Sequence, residues 1–384
     1  MTQSAQRPIT LAVVRRRYSP FGGAERFIER SLSGLQKIGV QPTLLCAEWD
    51  GAGSPAPEWE VVRLGAPKGL GRARRELAFE RDVHGYLAKR RFDLVQSHER
   101  IPGLAVFRAG DGLHCEWLRQ RRKVQGTAEQ WLTRLSPYHR FCLARERQMF
   151  EHPALGIVIC NSEMVRAEIA EHFPVALSKV RIVRNGIDAS QFTPATAEER
   201  EQARRRLGLA DGPPVFAYVG SGFERKGVAT ILRAAALASA AQFLIVGQDK
   251  HAARYQSLAA ELGVAERVKF VGASRDVQGC LDAADAFIFP TLYDPGPNAV
   301  LEAMAKGLPV LTSSKCGLAE VVLQAGAGRV HDALDAASFA RSIDALRDQT
   351  LRRTMGEAAR TAALGLNLDA LVANLLGVYE ELLP

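Results

Sequence analysis

Short apolar runs of strand length alternate with helical stretches along almost the whole chain. In the first half the runs fall at 10–15, 42–48, 60–64, 93–97, 104–108 and 156–160, with helical patterns such as 24–39 and 72–91 between them. After about residue 185 the rhythm restarts, with runs at 215–219, 242–246, 268–271, 286–289 and 310–312. Runs this apolar, separated by helices, predict parallel strands covered on both faces. Two successive sets predict two doubly wound domains. The segment 185–214 carries the turn Asn185-Gly186-Ile187-Asp188, a charged helix and Asp211-Gly212-Pro213-Pro214, so the boundary is placed there. The domains are expected at 1–185 and 186–367, with a C-terminal helix, 368–384, packing back on the first. In such sheets ligands lie at the carboxyl ends of the strands, so the expected site is a cleft between the domains.

Composition narrows the class. Of 384 residues 47% are hydrophobic and 24% charged, which is a globular balance. No window reaches the roughly 18 consecutive apolar residues of a membrane span. The first residues place arginines after a short apolar run, the reverse of a secretory signal, so a cytoplasmic protein is expected. The six cysteines (46, 115, 142, 160, 280 and 316) form no CxxC pair and imply neither a disulfide framework nor a zinc site.

Charge is uneven. Residues 1–185 hold 30 Lys and Arg against 19 Asp and Glu, whereas the remainder holds 20 against 23. The first half therefore has a reason to meet something anionic: a phosphorylated glycolipid, a membrane surface or nucleic acid. The stretch 116–151 concentrates basic residues at 119, 121, 122, 123, 134, 140, 145 and 147 among Trp117, Trp131, Tyr138 and Phe141. That mixture fits a helix on an anionic membrane surface, and equally one whose aromatics face a core. No nucleic-acid module accompanies it, so no nucleic-acid partner is expected.

Three segments carry candidate chemistry. Pro20-Phe21-Gly22-Gly23 follows the first strand and precedes a helix, where Gly22 and Gly23 let backbone N–H groups approach an anion. Gly220-Ser221-Gly222-Phe223-Glu224-Arg225-Lys226-Gly227 again joins strand to helix, and Arg225 and Lys226 could neutralise a diphosphate. It is not a P-loop, because Gly227 stands where Ser or Thr would be needed. The third segment, 290–310, runs from a strand end through a Pro/Gly loop into a helix. Backbone amides around Gly296, Pro297, Asn298 and Ala299 would meet sugar hydroxyls or phosphate there. Asp294 and Glu302 supply carboxylates, which accept from ribose and hexose hydroxyls.

With Asp294 and Glu302 eight residues apart and the run Glu302-Ala303-Met304-Ala305 leading to Gly307, Pro309 and Val310, the chain resembles the retaining glycosyltransferases of family 4, of the GT-B fold. The loop Ser221–Gly227, the strand end Ile245-Val246-Gly247-Gln248-Asp249 and the segment 289–303 are similar to the lipopolysaccharide core heptose glucosyltransferase branch. The resemblance reaches into the first half through Pro20–Arg26 and 101–111. It implies two Rossmann-like domains facing a central cleft, and transfer of a hexose, glucose first, from a UDP-sugar to the inner-core heptose of lipopolysaccharide. It assigns the ribose to Glu302 and the donor sugar to Asp294 and the amides after it. The diphosphate falls to Arg225 and Lys226, faced by Gly22 and Gly23, and the reacting carbon or the donor's 6-hydroxyl to Asp111. Two departures stand out. Many family members carry histidine at the position of Asp111, and glutamate is usual at that of Asp294.

The chain contains no Asp-x-Asp and no HxxxH pairing, so catalysis without a bound metal or cofactor is expected, cationic side chains and helix termini supplying the electrostatics. An enzyme held peripherally on the inner face of the cytoplasmic membrane, with a glycolipid acceptor, is the reading that joins these features. Open alternatives are another family 4 transferase, mannosyl- or N-acetylhexosaminyl-, acting on a polysaccharide or lipid-linked acceptor, and a nucleotide-sugar epimerase.

Overall fold

The computed structural model describes residues 8–18, 23–49, 59–65 and 71–383. The chain divides into two compact units, Met1–Gly186 with Leu368–Pro384, and Ile187–Asn367.

In the first unit the strands are β1 (Thr10–Val14), β2 (Arg17–Tyr18), β3 (Gln41–Cys46), β4 (Glu48–Trp49), β5 (Glu60–Arg63), β6 (Leu94–Ser97), β7 (Val106–Arg108), β8 (Ile157–Cys160) and β9 (Val180–Ile182). Seven form one parallel sheet in the order β5-β3-β1-β6-β7-β8-β9, and β2 pairs with β4 apart from it. β1 shows why its run is apolar throughout. Leu11 and Val13 enter the core on one face, while Ala12 and Val14 enter the core on the other. Pro42 is tolerated in β3 because pairing with β5 begins one residue later, at Thr43.

The helices are α1 (Gly23–Lys37), α2 (Arg72–Leu87), α3 (His114–Arg122), α4 (Thr127–Leu135), α5 (Pro137–Phe150) and α6 (Glu163–His172), of which α4 packs on α5 and buries no residue of its own. The C-terminal helix Leu368–Glu380 belongs to this unit. Its Leu371, Leu375, Val378 and Tyr379 share a core with Phe27, Ile28 and Leu32 of α1. The stretch 116–151, read above as one helix, is three. Gly126 caps α4, and Ser136 caps α5 ahead of Pro137 in its first turn.

The second unit contains β10 (Val215–Val219), β11 (Gln242–Val246), β12 (Val268–Gly272), β13 (Ala286–Phe289), β14 (Val310–Ser313) and β15 (Gly328–His331). They form a parallel sheet in the order β12-β11-β10-β13-β14-β15. Neither β9 nor β15 was expected. Each is a short edge strand, and Gly-Arg-Val-His has no apolar run to announce it. Gly328 is required there, because a Cβ would lie 1.8 Å from the Val310 carbonyl oxygen.

Strand order reverses in both sheets between neighbours: β1 and β6 in the first, β10 and β13 in the second. Connections leave in opposite directions at such a point, so the loops beyond those carboxyl ends part and leave room for a ligand. Among the described residues no helix is long and apolar enough to cross a membrane.

Candidate functional site

In the second unit, the loops after β10, β11, β13 and β14 converge. The β10 loop is held by backbone geometry that only glycine allows at two points. Gly227 has φ +79°, and a Cβ on it would sit 1.9 Å from the Pro290 oxygen. Gly247, after β11, would place a Cβ 2.0 Å from the Gly220 oxygen. Asp249 then fixes the loop by accepting from the Phe223 amide at 2.8 Å and, with its other oxygen, from the His251 amide at 2.7 Å. From this loop springs α8 (Val228–Leu237), after α7 (Ala197–Leu207) in the chain.

The loop after β13 is stitched to the same place. The Arg225 carbonyl accepts from the Leu292 amide at 2.8 Å and the Thr291 hydroxyl at 3.0 Å. Asp294 donates its amide to the Lys315 oxygen at 3.0 Å, and its carbonyl accepts from the Gly317 amide at 2.8 Å. These bonds bring together three of the residues singled out from sequence. One Asp294 carboxylate oxygen lies 3.5 Å from Lys226 Nζ and 3.9 Å from Arg225 Nη2. Arg225 Nη1 donates to the Tyr293 carbonyl at 3.2 Å, and Lys226 Nζ stands 5.3 Å from the Phe289 ring centroid.

Beyond this loop runs a helix of eight residues, Asn298–Ala305, whose cap residue Pro297 offers no side-chain acceptor. Asn298 and Glu302 are buried, Glu302 at 3% exposure. A carboxylate so buried in a helix flanked by Val300, Leu301, Ala303 and Met304 is not a solvated surface residue. Gly296 and Ala299 lie at the mouth of this turn and are partly buried.

In the first unit a second group of charges gathers at the carboxyl ends of β1, β6 and β7. Asp111 sits in a turn closed by the Gly112 amide donating to the Ala109 oxygen at 3.1 Å. Its carboxylate takes a hydrogen bond from Arg15 Nη1 at 2.9 Å, and Glu99 approaches the same guanidinium nitrogen at 3.7 Å. The Asp111 side chain is 55% exposed; desolvation by the groups around it opposes ionisation, but the Arg15 charge and hydrogen bond, with Arg100 behind them, bring its pKa down to about 2. His98 is buried, and its Nε2 lies 3.0 Å from Gln96 Nε2, an amide donor, so this ring nitrogen accepts and the imidazole is neutral. Burial first, then the Arg108 and Arg15 charges, hold its pKa well below the usual histidine value. Gln96 in turn accepts from the Tyr379 hydroxyl at 2.9 Å, which ties the C-terminal helix to the end of β6.

Arg108 is buried with its guanidinium 3.5 Å from the Phe27 ring centroid, donating to Asn185 Oδ1 at 3.1 Å. Desolvation lowers its pKa to about 10, which leaves it charged at neutral pH. Of the other predicted residues, Gly22 lies outside the described residues, and Gly23 is the first residue of α1.

Sequence reasoning missed Arg15, His98, Arg100, Asp249 and Thr291. The Arg15-Arg16-Arg17 run at the end of β1 and the Gly247-Gln248-Asp249 turn were the available signals. Charged or small residues just beyond a strand's carboxyl end mark where ligands sit.

On the surface of α4 the sequence left two readings open. Here Trp131 is 67% and Leu132 69% exposed, with Leu135 and Val124 also exposed, and α4 contributes no buried residue. Trp117, Tyr138 and Phe141 are half-buried, and Arg72 stacks on Tyr138 at 5.6 Å.

Residues 21–191 match the family model described as Glycosyltransferase Family 4, and residues 199–362 match that described as Glycosyl transferases group 1. The chain is 29% identical over 322 residues to the lipopolysaccharide glucosyltransferase WaaG of Escherichia coli K12, spanning 82% of this chain and 83% of that protein. It is 31% identical over 257 residues to a GDP-mannose-dependent monoacylated alpha-(1-6)-phosphatidylinositol monomannoside mannosyltransferase of Corynebacterium glutamicum, spanning 63% of this chain and 59% of that one. The crystal structure of WaaG, a glycosyltransferase involved in lipopolysaccharide biosynthesis, matches with a TM-score of 0.81 at 26% identity, covering 95% of this chain and 98% of that chain.

Proposed function

We propose that the chain is a family 4 glycosyltransferase and that it moves glucose from UDP-glucose to a heptose of the lipopolysaccharide core with retention of configuration. The observation that carries this reading is the 29% identity to a lipopolysaccharide glucosyltransferase over 82% of the chain.

The second-unit site supports the donor half of the reading on chemical grounds. When a nucleotide diphosphate departs, negative charge builds on the phosphate oxygens. Arg225 and Lys226 present a guanidinium fork and an ammonium at one strand end, where they stabilise that charge. In the structure both cations lean on Asp294 at distances beyond a tight ion pair. A diphosphate competes for them and releases the Asp294 carboxylate to accept from the donor sugar's hydroxyls. Asp294, together with Gly296, Pro297, Asn298 and Ala299, is assigned to that sugar, and Glu302 to the ribose. With two cations in place, the reaction runs without a divalent metal. Asp111, ionised throughout the physiological range, is assigned to the reacting end of the donor. The leaving phosphate helps to deprotonate the acceptor hydroxyl on the same face of the sugar.

The acceptor half rests on the first unit. Residues 1–185 carry a surplus of eleven positive charges, and α4 exposes Trp131 and Leu132 near Arg121, Arg122, Lys123 and Arg134. This surface fits anionic lipid headgroups at the inner face of the cytoplasmic membrane, where a lipid-anchored, phosphorylated acceptor is presented.

A second reading, transfer of mannose from GDP-mannose to a lipid-linked acceptor, is favoured by the 31% identity to the corynebacterial mannosyltransferase. Nucleotide release from a panel of UDP- and GDP-sugars, with and without heptose-terminated lipopolysaccharide, in excess EDTA, separates the two. Acceptor-dependent release of UDP from UDP-glucose is expected. Release from GDP-mannose moves the function to the second reading, loss of activity in EDTA refutes metal independence, and sugar interconversion without transfer points to an epimerase.

A further inference from the structure

Asp111 occupies a tight turn between β7 and α3, closed by the Gly112–Ala109 hydrogen bond, and Arg15 meets its carboxylate at 2.9 Å. A further clamp comes from elsewhere. Glu146, near the end of α5 and only 1% exposed, accepts from the His114 amide at 2.7 Å and the Cys115 amide at 3.0 Å, the first two residues of α3. The Leu113 cap of that helix offers no side-chain acceptor, so a carboxylate 32 residues beyond His114 does the capping. Arg100, in the loop after β6, bridges the two sides. Its Nε donates to Glu146 at 2.9 Å, and its Nη2 donates to the Gly112 carbonyl at 3.2 Å, one residue beyond Asp111. On the other side of the turn Asn161 Nδ2 donates to the Gly110 carbonyl at 3.0 Å. The residues flanking Asp111 are thus both held by side chains from other elements.

We infer that Glu146, with Arg100, is a positioning residue for transfer: it fixes the 110–115 turn so that the Asp111 carboxylate stands where the reaction needs it. This rests on Asp111 having the role proposed above. A buried carboxylate accepting two amides and a guanidinium has its acceptor capacity well used, which makes it a rigid anchor. A displacement of about 1 Å at a reacting group costs on the order of 100-fold in rate. Loosening the turn therefore lowers kcat while the donor, bound by the second unit, keeps its affinity.

The test is a double-mutant cycle on the full chain, with kcat, donor Kd and Tm measured for Glu146→Gln, Asp111→Asn and the pair. Glu146→Gln keeps the volume but turns an amide group toward donors. The expected result is a fall in kcat of about 10-fold to 100-fold with donor Kd unchanged, and faster exchange of the His114 and Cys115 amides. In the Asp111→Asn background the same change has less than about a twofold further effect, because the group it positions is gone. Equal loss in both backgrounds, or an unchanged kcat for Glu146→Gln, overturns the inference while leaving Asp111's role intact. Near-normal kcat for Asp111→Asn overturns the Asp111 reading itself, and the inference with it. Should Glu146→Gln fail to fold, Arg100→Gln, which spares both amide bonds, carries the same cycle with the same expected non-additivity.

Discussion

Arg225, Lys226 and Asp294 come from two loops 68 residues apart, yet their charged ends meet within 4 Å. Their types were readable from sequence, but their mutual pairing was not, because it depends on the Arg225 carbonyl being stitched to residues 291 and 292. If the two cations stabilise the leaving diphosphate, Arg225→Gln or Lys226→Gln lowers kcat by about 100-fold to 1,000-fold, the scale of losing one preorganised donor to a developing anion. Steady-state nucleotide release measures it, and Tm should hardly move, since both side chains are partly exposed. His98 makes a separate prediction about acid. Folded, it resists protonation, whereas unfolded it titrates at about 6.5. The unfolded chain therefore binds more protons below that value. The stabilisation is complete above about pH 6.5 and drains away as the pH falls. His114, lowered to about 4 chiefly by burial, adds to the same loss. Asp111, lowered to about 2, acts only below about 4 and cannot contribute in that window. Calorimetric Tm should drop from pH 7 to pH 5, and His98→Gln should make that drop shallower.

At the scale of elements, 116–151 shows both what pattern reading captures and what it loses. The basic and aromatic composition was plain, but treating the stretch as one helix ignored Gly126 and the Ser136-Pro137 pair, whose breaking and capping signals were present. Once the stretch is split into three, α4 becomes a short helix with no buried residue and Trp131 and Leu132 in solvent. If this exposed pair meets the membrane surface proposed above, its removal has a measurable effect. Trp131→Ala with Leu132→Ser should cut co-sedimentation with vesicles of anionic lipid several-fold, and binding to both wild type and variant should weaken as salt rises. Stability should change by no more than about 0.5 kcal/mol, as for most exposed positions. A matching loss of Tm would mean that α4 packs on the protein instead.

For the whole molecule, the last seventeen residues test how the chain is divided. Leu371, Leu375, Val378 and Tyr379 are at most 6% exposed in the core of the first unit, though nearly two hundred residues separate them from its last strand. Four buried side chains of this size contribute about 6–12 kcal/mol, comparable to the entire stability of an ordinary domain. A chain ending at residue 367 should therefore lose the cooperative thermal transition of the first unit. The second unit, whose strands and core lie within 187–367, should keep its own. Scanning calorimetry that found both transitions intact would contradict this.

Much of the local structure is legible in the chain's own pattern. Strands buried on both faces must be apolar along their whole length, so the central strands and the restart of the pattern near residue 185 could be read directly. Glycines at strand-to-helix turns and charged residues beside them marked the loops where Arg225, Lys226 and Asp294 gather. Edge strands such as β9 and β15 escaped because half-covered strands of three or four residues need no apolar run. Which segments meet is settled by packing. Parallel neighbours are joined by long connections, so the register that sets Asp294 against Lys226, or Glu146 against the amides of His114 and Cys115, is fixed by packing between elements distant in the chain. Local pattern carries no record of such contacts, and the positioning of both groups of charges lies entirely in them.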